Sequence, residues 1–184
     1  MPYTITTEAQ QEYDMQITKN GVSTNAGPRE WFTGTVYIDP VAAPSAGSRV
    51  SASNVHFTPG ARTAWHTHPH GQTIYIIEGE GRCQRRGGPV EVIRPGDRVF
   101  FEPGEEHWHG AAPGRFMTHL AMLEVDEAGN SATWGQHVSD EENGQQPGCA
   151  RKRRRRACTA WRAVPESAST SRSSDRPWRA PPVA

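Results

Sequence analysis

The stretch "PGARTAWHTHPHGQTIYIIEGEG" (residues 59–81) carries two signals at once. A turn at Pro59-Gly60 opens it and a second at Glu78-Gly79 closes it, and the residues between are rich in β-formers. Successive side chains of a strand point to opposite faces, so His66, His68, His70 and Gln72 share parity. Two imidazoles spaced this way can be neighbouring ligands of one ion. Imidazole suits Zn, Cu, Fe and Ni, and Mn where oxygen ligands join it. A His-x-His pair alone recurs by chance, so its surroundings decide the reading.

Those surroundings repeat the logic. "PGDRVFFEPGEEHWHG" (residues 95–110) has a turn at Pro95-Gly96, an apolar strand, a turn at Pro103-Gly104 and then His107. Paired hairpins would bring His107 across toward His66 and His68. His109 shares parity with His107, so it points toward the same cavity or sits at its rim. From Trp31 to Val138 short β-like runs alternate with Gly, Pro and Asn, and none has a sustained apolar period of 3.6 residues. Many short strands with regular turns predict an all-β sandwich or small barrel.

The net charge of zero is a cancellation. Residues 1–144 hold 10 basic against 18 acidic side chains, and residues 145–184 hold 10 against 2. Residues 1–30 are polar and predict an N-terminal arm, either an added edge strand or dimer contact, or a frayed leader. Residues 31–142 form the predicted domain. Residues 143–184, rich in Arg, Ser and Pro, cannot bury enough apolar surface to offset the entropy of ordering and predict a disordered tail. The run Lys152–Arg156 suits nucleic acid or an anionic surface, but a solvated tail is the reading favoured, because the domain is acidic and lacks basic stacking platforms. Three cysteines make no even framework, and no apolar run reaches the roughly 18 residues of a membrane span. With no secretory signal pattern, the expectation is a cytoplasmic protein without membrane partners.

The two motifs resemble those of the cupins. Gly60, His66-x-His68, Gln72 and Gly79 match the first cupin motif, with Gln72 where glutamate is usual. Gly96, Gly104 and His107 match the second, with Glu102 in place of a frequent proline and Ala111 in place of the asparagine. The resemblance implies a small jelly-roll-like β-barrel of two antiparallel sheets, a homo-oligomer (dimer or tetramer), and metal ligands His66, His68, Gln72 and His107. His70, flanked by Pro69 and Gly71, lies outside the ligand pattern. "WFTGTVYIDP" (31–40), the two motifs and "MTHLAMLE" (117–124) together look like the small bacterial cupins that act as manganese-dependent hydroxynitrile lyases.

That resemblance implies Mn²⁺, with Fe²⁺, Zn²⁺ or Ni²⁺ as alternatives, and a small cyanohydrin or related carbonyl or hydroxy compound as substrate. Met117, His119, Ala121 and Leu123 share a strand face, which puts His119 among apolar neighbours. His119 matches the family's general base; the competing reading is a core histidine bonded to backbone. His109 is a second catalytic candidate, and Ser53, Val55, Phe57 and Leu123 are candidates for the pocket wall. A neutral Gln72 leaves a bound ion more positive than a glutamate would, and so a stronger Lewis acid. The alternatives are a dioxygenase or isomerase using iron or another divalent ion, and a non-catalytic metal- or ligand-binding cupin.

Overall fold

The computed structural model describes residues 15, 17–19 and 23–148. Among these residues, twelve strands form two antiparallel sheets that face each other. Sheet A runs β1 (Asn25–Ala26), β3 (Val36–Ala42), β4 (Val50–Phe57), β11 (Met117–Glu124), β6 (Gln72–Gly79) and β9 (Arg98–Phe101) in spatial order. Sheet B runs β12 (Thr133–His137), β5 (Arg62–Thr67), β10 (His107–Ala111), β7 (Gly81–Arg85) and β8 (Glu91–Ile93), and β2 (Phe32–Thr33) pairs with β5. This is the all-β class that the turn spacing predicts and the two-sheet barrel that the motif resemblance implies.

The core lies between the sheets and draws on both: Val55, Phe57, Ile74, Ile76, Phe101 and Met117 are all buried. Alternation does this work. On β6, Gln72, Ile74 and Ile76 point inward while Tyr75 and Ile77 point out. Two glycines of this stretch are required by geometry. Gly71 and Gly79 have φ of 77° and 78°, and a Cβ on Gly79 would lie 1.9 Å from the Phe116 carbonyl oxygen.

A smaller cluster, Trp65, Trp108, Val90 and Val138, lies on the far side of sheet B. This follows from Trp65 and Trp108 having parity opposite to their histidine neighbours. It is covered by the segment that ends in α1 (Asp140–Gly144). A capping box, Ser139 with Glu142, starts that helix. Buried Arg62 donates to the Val138 carbonyl and to Asp140, Arg86 lies over the Trp65 ring, and the Gly148 N–H donates to the Val90 carbonyl.

The division expected after residue 142 lies within α1, and residues 143–148 lie against the domain with Asn143 buried: the capping box and the arginine contacts order a polar segment. Residues 25–26 of the expected arm form an edge strand of sheet A, paired with β3, which is one of the alternatives the sequence left open. The rest of the expected tail, residues 149–184 with its basic run, lies outside the described residues. No described helix is long and apolar enough to cross a membrane.

Candidate metal centre

Strand pairing assembles the site. β10 lies beside β5 with His107 opposite His66, and His109 follows on the same inward face. His68 stands one residue beyond the end of β5, still turned inward and 4% exposed. Sheet A contributes Gln72 from the start of β6 and His119 from the middle of β11. Five histidines and a glutamine from both sheets thus converge, each nearly or wholly buried. His70 is exposed and stays outside the cluster.

The ring nitrogens are not equivalent. His66 Nδ1 donates to the Ala64 carbonyl at 2.9 Å, His68 Nδ1 to the Ser131 carbonyl at 2.7 Å, and His107 Nδ1 to the Glu105 carbonyl at 2.7 Å. A carbonyl only accepts, so in all three rings the proton sits on Nδ1 and Nε2 keeps its lone pair. This is the backbone anchoring that fixes tautomer and orientation in metal-binding histidines. Gln72 Oε1 lies 3.4 Å from His107 Nε2, which sets two lone pairs against each other. A cation relieves that arrangement. His68 Nε2 is buried without a hydrogen-bond partner among the described residues. The donor set therefore fits a divalent ion.

One nitrogen each of His66, His107 and His109 lie within 4.8 Å of one another, so by distance alone the tightest triad takes His109 where the sequence motif takes His68. Anchoring separates the two. His109 has no backbone carbonyl on its ring; its Nε2 is 3.2 Å from Gln72 Oε1, and its Nδ1 is buried and unpartnered. His119 is fully buried with both ring nitrogens unpartnered, its ring 4.9 Å from that of His109 and 5.4 Å from that of Phe57.

Burial sets the charge state. Desolvation pushes the His119 and His107 pKa values down to about 3, and holds His66 and His109 well below the ordinary imidazole value, with neighbouring histidines adding to the effect. Desolvation lowers His68 too, against its bond to the Ser131 carbonyl, which favours the charged form. The cluster is neutral at neutral pH, which is the ligand form of imidazole.

Aromatic rings that sequence reasoning did not single out brace two of these histidines. Phe101 stacks on His107 at 3.6 Å between centroids, and Trp134 stacks on His66 at 4.6 Å. Trp31 in turn stacks on Trp134 at 5.1 Å. Val55 and Phe57 are buried core residues near the site; Ser53 and Leu123 are only half-buried. A groove of about 560 Å³ reaches His68 from outside, bordered by Thr67, Pro69, Pro103, Gly104 and Asn130. A slightly larger groove beside Arg29, Thr33 and His137 touches none of the five histidines, and its size gives it no chemistry.

A barrel of two antiparallel sheets with inward histidines from paired hairpins defines a cupin, and residues 53–122 match the cupin domain family. The chain belongs to that family. It is 52% identical over 129 residues, 70% of this chain and 98% of the other, to an (R)-mandelonitrile lyase of Granulicella tundricola. Among solved structures, a cupin-like protein of Thermotoga maritima is 33% identical with a TM-score of 0.60, covering 71% of this chain and 95% of that one. A cupin-2 domain protein of Rhodospirillum rubrum, at 19% identity and a TM-score of 0.54 over 70% of this chain and 85% of that one, shares the fold.

Proposed function

We propose that the chain is a metal-dependent enzyme of the hydroxynitrile lyase type, splitting a cyanohydrin into an aldehyde and HCN or running the reverse addition. The observation that carries this is an anchored donor set beside a neutral, buried His119, whose ring lies 4.9 Å from that of His109. The similarity to a mandelonitrile lyase along nearly the whole of that protein supports it. His66, His68 and His107 through Nε2, and Gln72 through Oε1, hold the ion, with Mn²⁺ the preferred occupant and Fe²⁺, Zn²⁺ or Ni²⁺ able to use the same donors. When bound, the ion supplies Lewis acidity, which makes a ligated hydroxyl acidic enough for a weak base to deprotonate.

The chain's own residues do the rest. His119 accepts the substrate hydroxyl proton on a free ring nitrogen; because burial keeps it neutral, it is ready to do so at any pH near 7. As the carbonyl forms, the carbon–carbon bond breaks and its electron pair leaves with cyanide. The imidazolium at His119 then stabilises the departing anion and returns the proton, which balances the reaction as aldehyde plus HCN. His109 donates its Nε2–H to Gln72 Oε1 and so orients that amide toward the site. Phe57 and Val55 exclude water from the reacting carbon. We further propose that the working form is a homo-oligomer.

The test is benzaldehyde release from mandelonitrile by metal-stripped protein, with and without Mn²⁺, in air and without oxygen. Release above the spontaneous rate that needs the metal, survives anaerobically and is lost in His119→Ala is expected. A requirement for oxygen would move the protein to the oxygenases, and tight Mn²⁺ binding with no turnover would make it a binding cupin.

A further inference from the structure

The three anchored rings are not held in the same way. His66 donates to the carbonyl of Ala64 and His107 to that of Glu105, each two residues back along the chain. His68 lies beyond the end of β5, and its Nδ1–H goes to the Ser131 carbonyl, 63 residues away. Two of the anchors are therefore local, and the third depends on where a distant segment is placed. That segment is the turn that carries the chain from β11 in sheet A to β12 in sheet B.

The turn is built on one side chain. The Asp126 carboxylate accepts from the Ala128 N–H at 2.9 Å, from the Asn130 N–H at 2.7 Å and from the Asn130 side-chain amide at 3.1 Å. The Asp126 N–H donates in turn to the Asn130 carbonyl at 2.9 Å. Asn130 is thus tied to Asp126 through its N–H, its carbonyl and its side chain, and it is the residue before Ser131. Beyond Ser131, Thr133 pairs with Thr67 and Trp134 stacks on His66. Asp126 and Asn130 also border the groove that reaches His68. The bonds from Asn130 are the largest cause that holds the Asp126 carboxyl below the ordinary carboxylate range, so it is charged and accepting at neutral pH.

Ser131 is exposed, so its carbonyl can exchange the imidazole for water if the turn loosens. A ring that loses its Nδ1 acceptor is free to turn and to take the other tautomer, which puts the proton on Nε2 and removes the lone pair a metal needs. Because the acceptor is backbone, changing the Ser131 side chain does not remove it; the turn sets it. We infer that Asp126 is a positioning residue of the metal centre, which keeps Nε2 of His68 free by fixing the Ser131 carbonyl. The inference rests on the metal-centre reading above and assigns what holds one of its ligands.

The experiment titrates Mn²⁺ into the metal-stripped full chain, following free Mn²⁺ by electron paramagnetic resonance. In parallel, NMR of the isotope-labelled, Zn²⁺-loaded chain records the histidine ring N–H signals. Asp126→Ala should weaken Mn²⁺ binding about tenfold, the low end of what losing a ligand's outer partner costs. The His68 Nδ1–H signal should be lost to exchange with water while those of His66 and His107 persist. The melting temperature should hardly change, since donors freed in an exposed turn bond to water. Asp126→Asn keeps Oδ1, which accepts both backbone bonds, and should restore most of the affinity and the His68 signal. Glu127→Gln, which neutralises a neighbouring carboxylate outside this set of bonds, should bind as wild type does. Unchanged Mn²⁺ affinity in Asp126→Ala, or lowered affinity with the His68 signal intact, overturns the role of Asp126 and leaves the metal centre standing. Equal losses in Asp126→Asn and Glu127→Gln make the effect one of charge at the mouth of the groove, and overturn it too. A wild type that binds no Mn²⁺ overturns the metal centre and this inference with it.

Discussion

Acidifying the metal-free protein should unfold it, and His119 supplies a measurable share. Its pKa is pushed down to about 3 by burial, against about 6.5 for imidazole in an unfolded chain. Between those values the unfolded state holds a proton that the folded state refuses, so stability falls as pH falls. At about pH 5 the cost is about 2 kcal/mol for His119, with an equal cost for His107, whose pKa is lowered to the same level. His66, His68 and His109 are displaced in the same direction. The total is a large part of the 5–15 kcal/mol that holds a typical domain together. The assay is thermal or urea unfolding in EDTA at about pH 7.5 and about pH 5, for wild type and His119→Leu, which keeps an apolar contact to Phe57 without the titrating ring. At roughly 3–5 °C per kcal/mol for a body of this size, the variant should lose about 6–10 °C less than wild type between the two conditions. Parallel pH profiles would falsify the assignment of a neutral, proton-refusing His119.

Gln72→Glu adds a carboxylate beside three anchored imidazoles. Mn²⁺ should bind more tightly in a direct titration, while cyanohydrin turnover falls as the ion's positive charge is offset; unchanged affinity would remove Gln72 from the donor set. Trp134→Leu deletes the ring stacked on His66 and should weaken Mn²⁺ binding about tenfold, as loss of a supporting contact to a ligand does, with Trp134→Phe restoring most of it. A loss of melting temperature without a loss of affinity would make the stack structural only. Gly79→Ala forces a Cβ to within 1.9 Å of the Phe116 carbonyl at a φ of 78°, and should cost about 2 kcal/mol or more by urea unfolding. An unaffected midpoint would show that the turn relaxes.

The short β-like runs read between Trp31 and Val138 reappear as strands, β3, β4 and β6 to β11 among them. β12 and α1 were not anticipated. β12 is short and mostly exposed, so it leaves little alternation to read, although the Ser-x-x-Glu capping box of α1 was present in "SDEENG" (residues 139–144). The packing of residues 143–148 was not legible either. Composition averages over a window, whereas a buried Asn143 and two arginine anchors are individual contacts.

Within the site, parity along a strand is a local property, so the inward direction of His66, His68, Gln72, His107 and His119 was determined by the sequence itself. Distances between those side chains were not. His66 meets His107 because β5 pairs with β10, and His119 meets His109 because sheet A closes over sheet B; both depend on contacts between residues far apart in the chain. The same holds for the choice between His68 and His109. Only the folded backbone supplies the carbonyls of Ala64, Ser131 and Glu105 that anchor three rings and leave the fourth free. Residue type and spacing determined which groups could act, and tertiary structure decided which nitrogen of the three anchored rings keeps its lone pair, because a hydrogen bond from one ring nitrogen settles the state of the other.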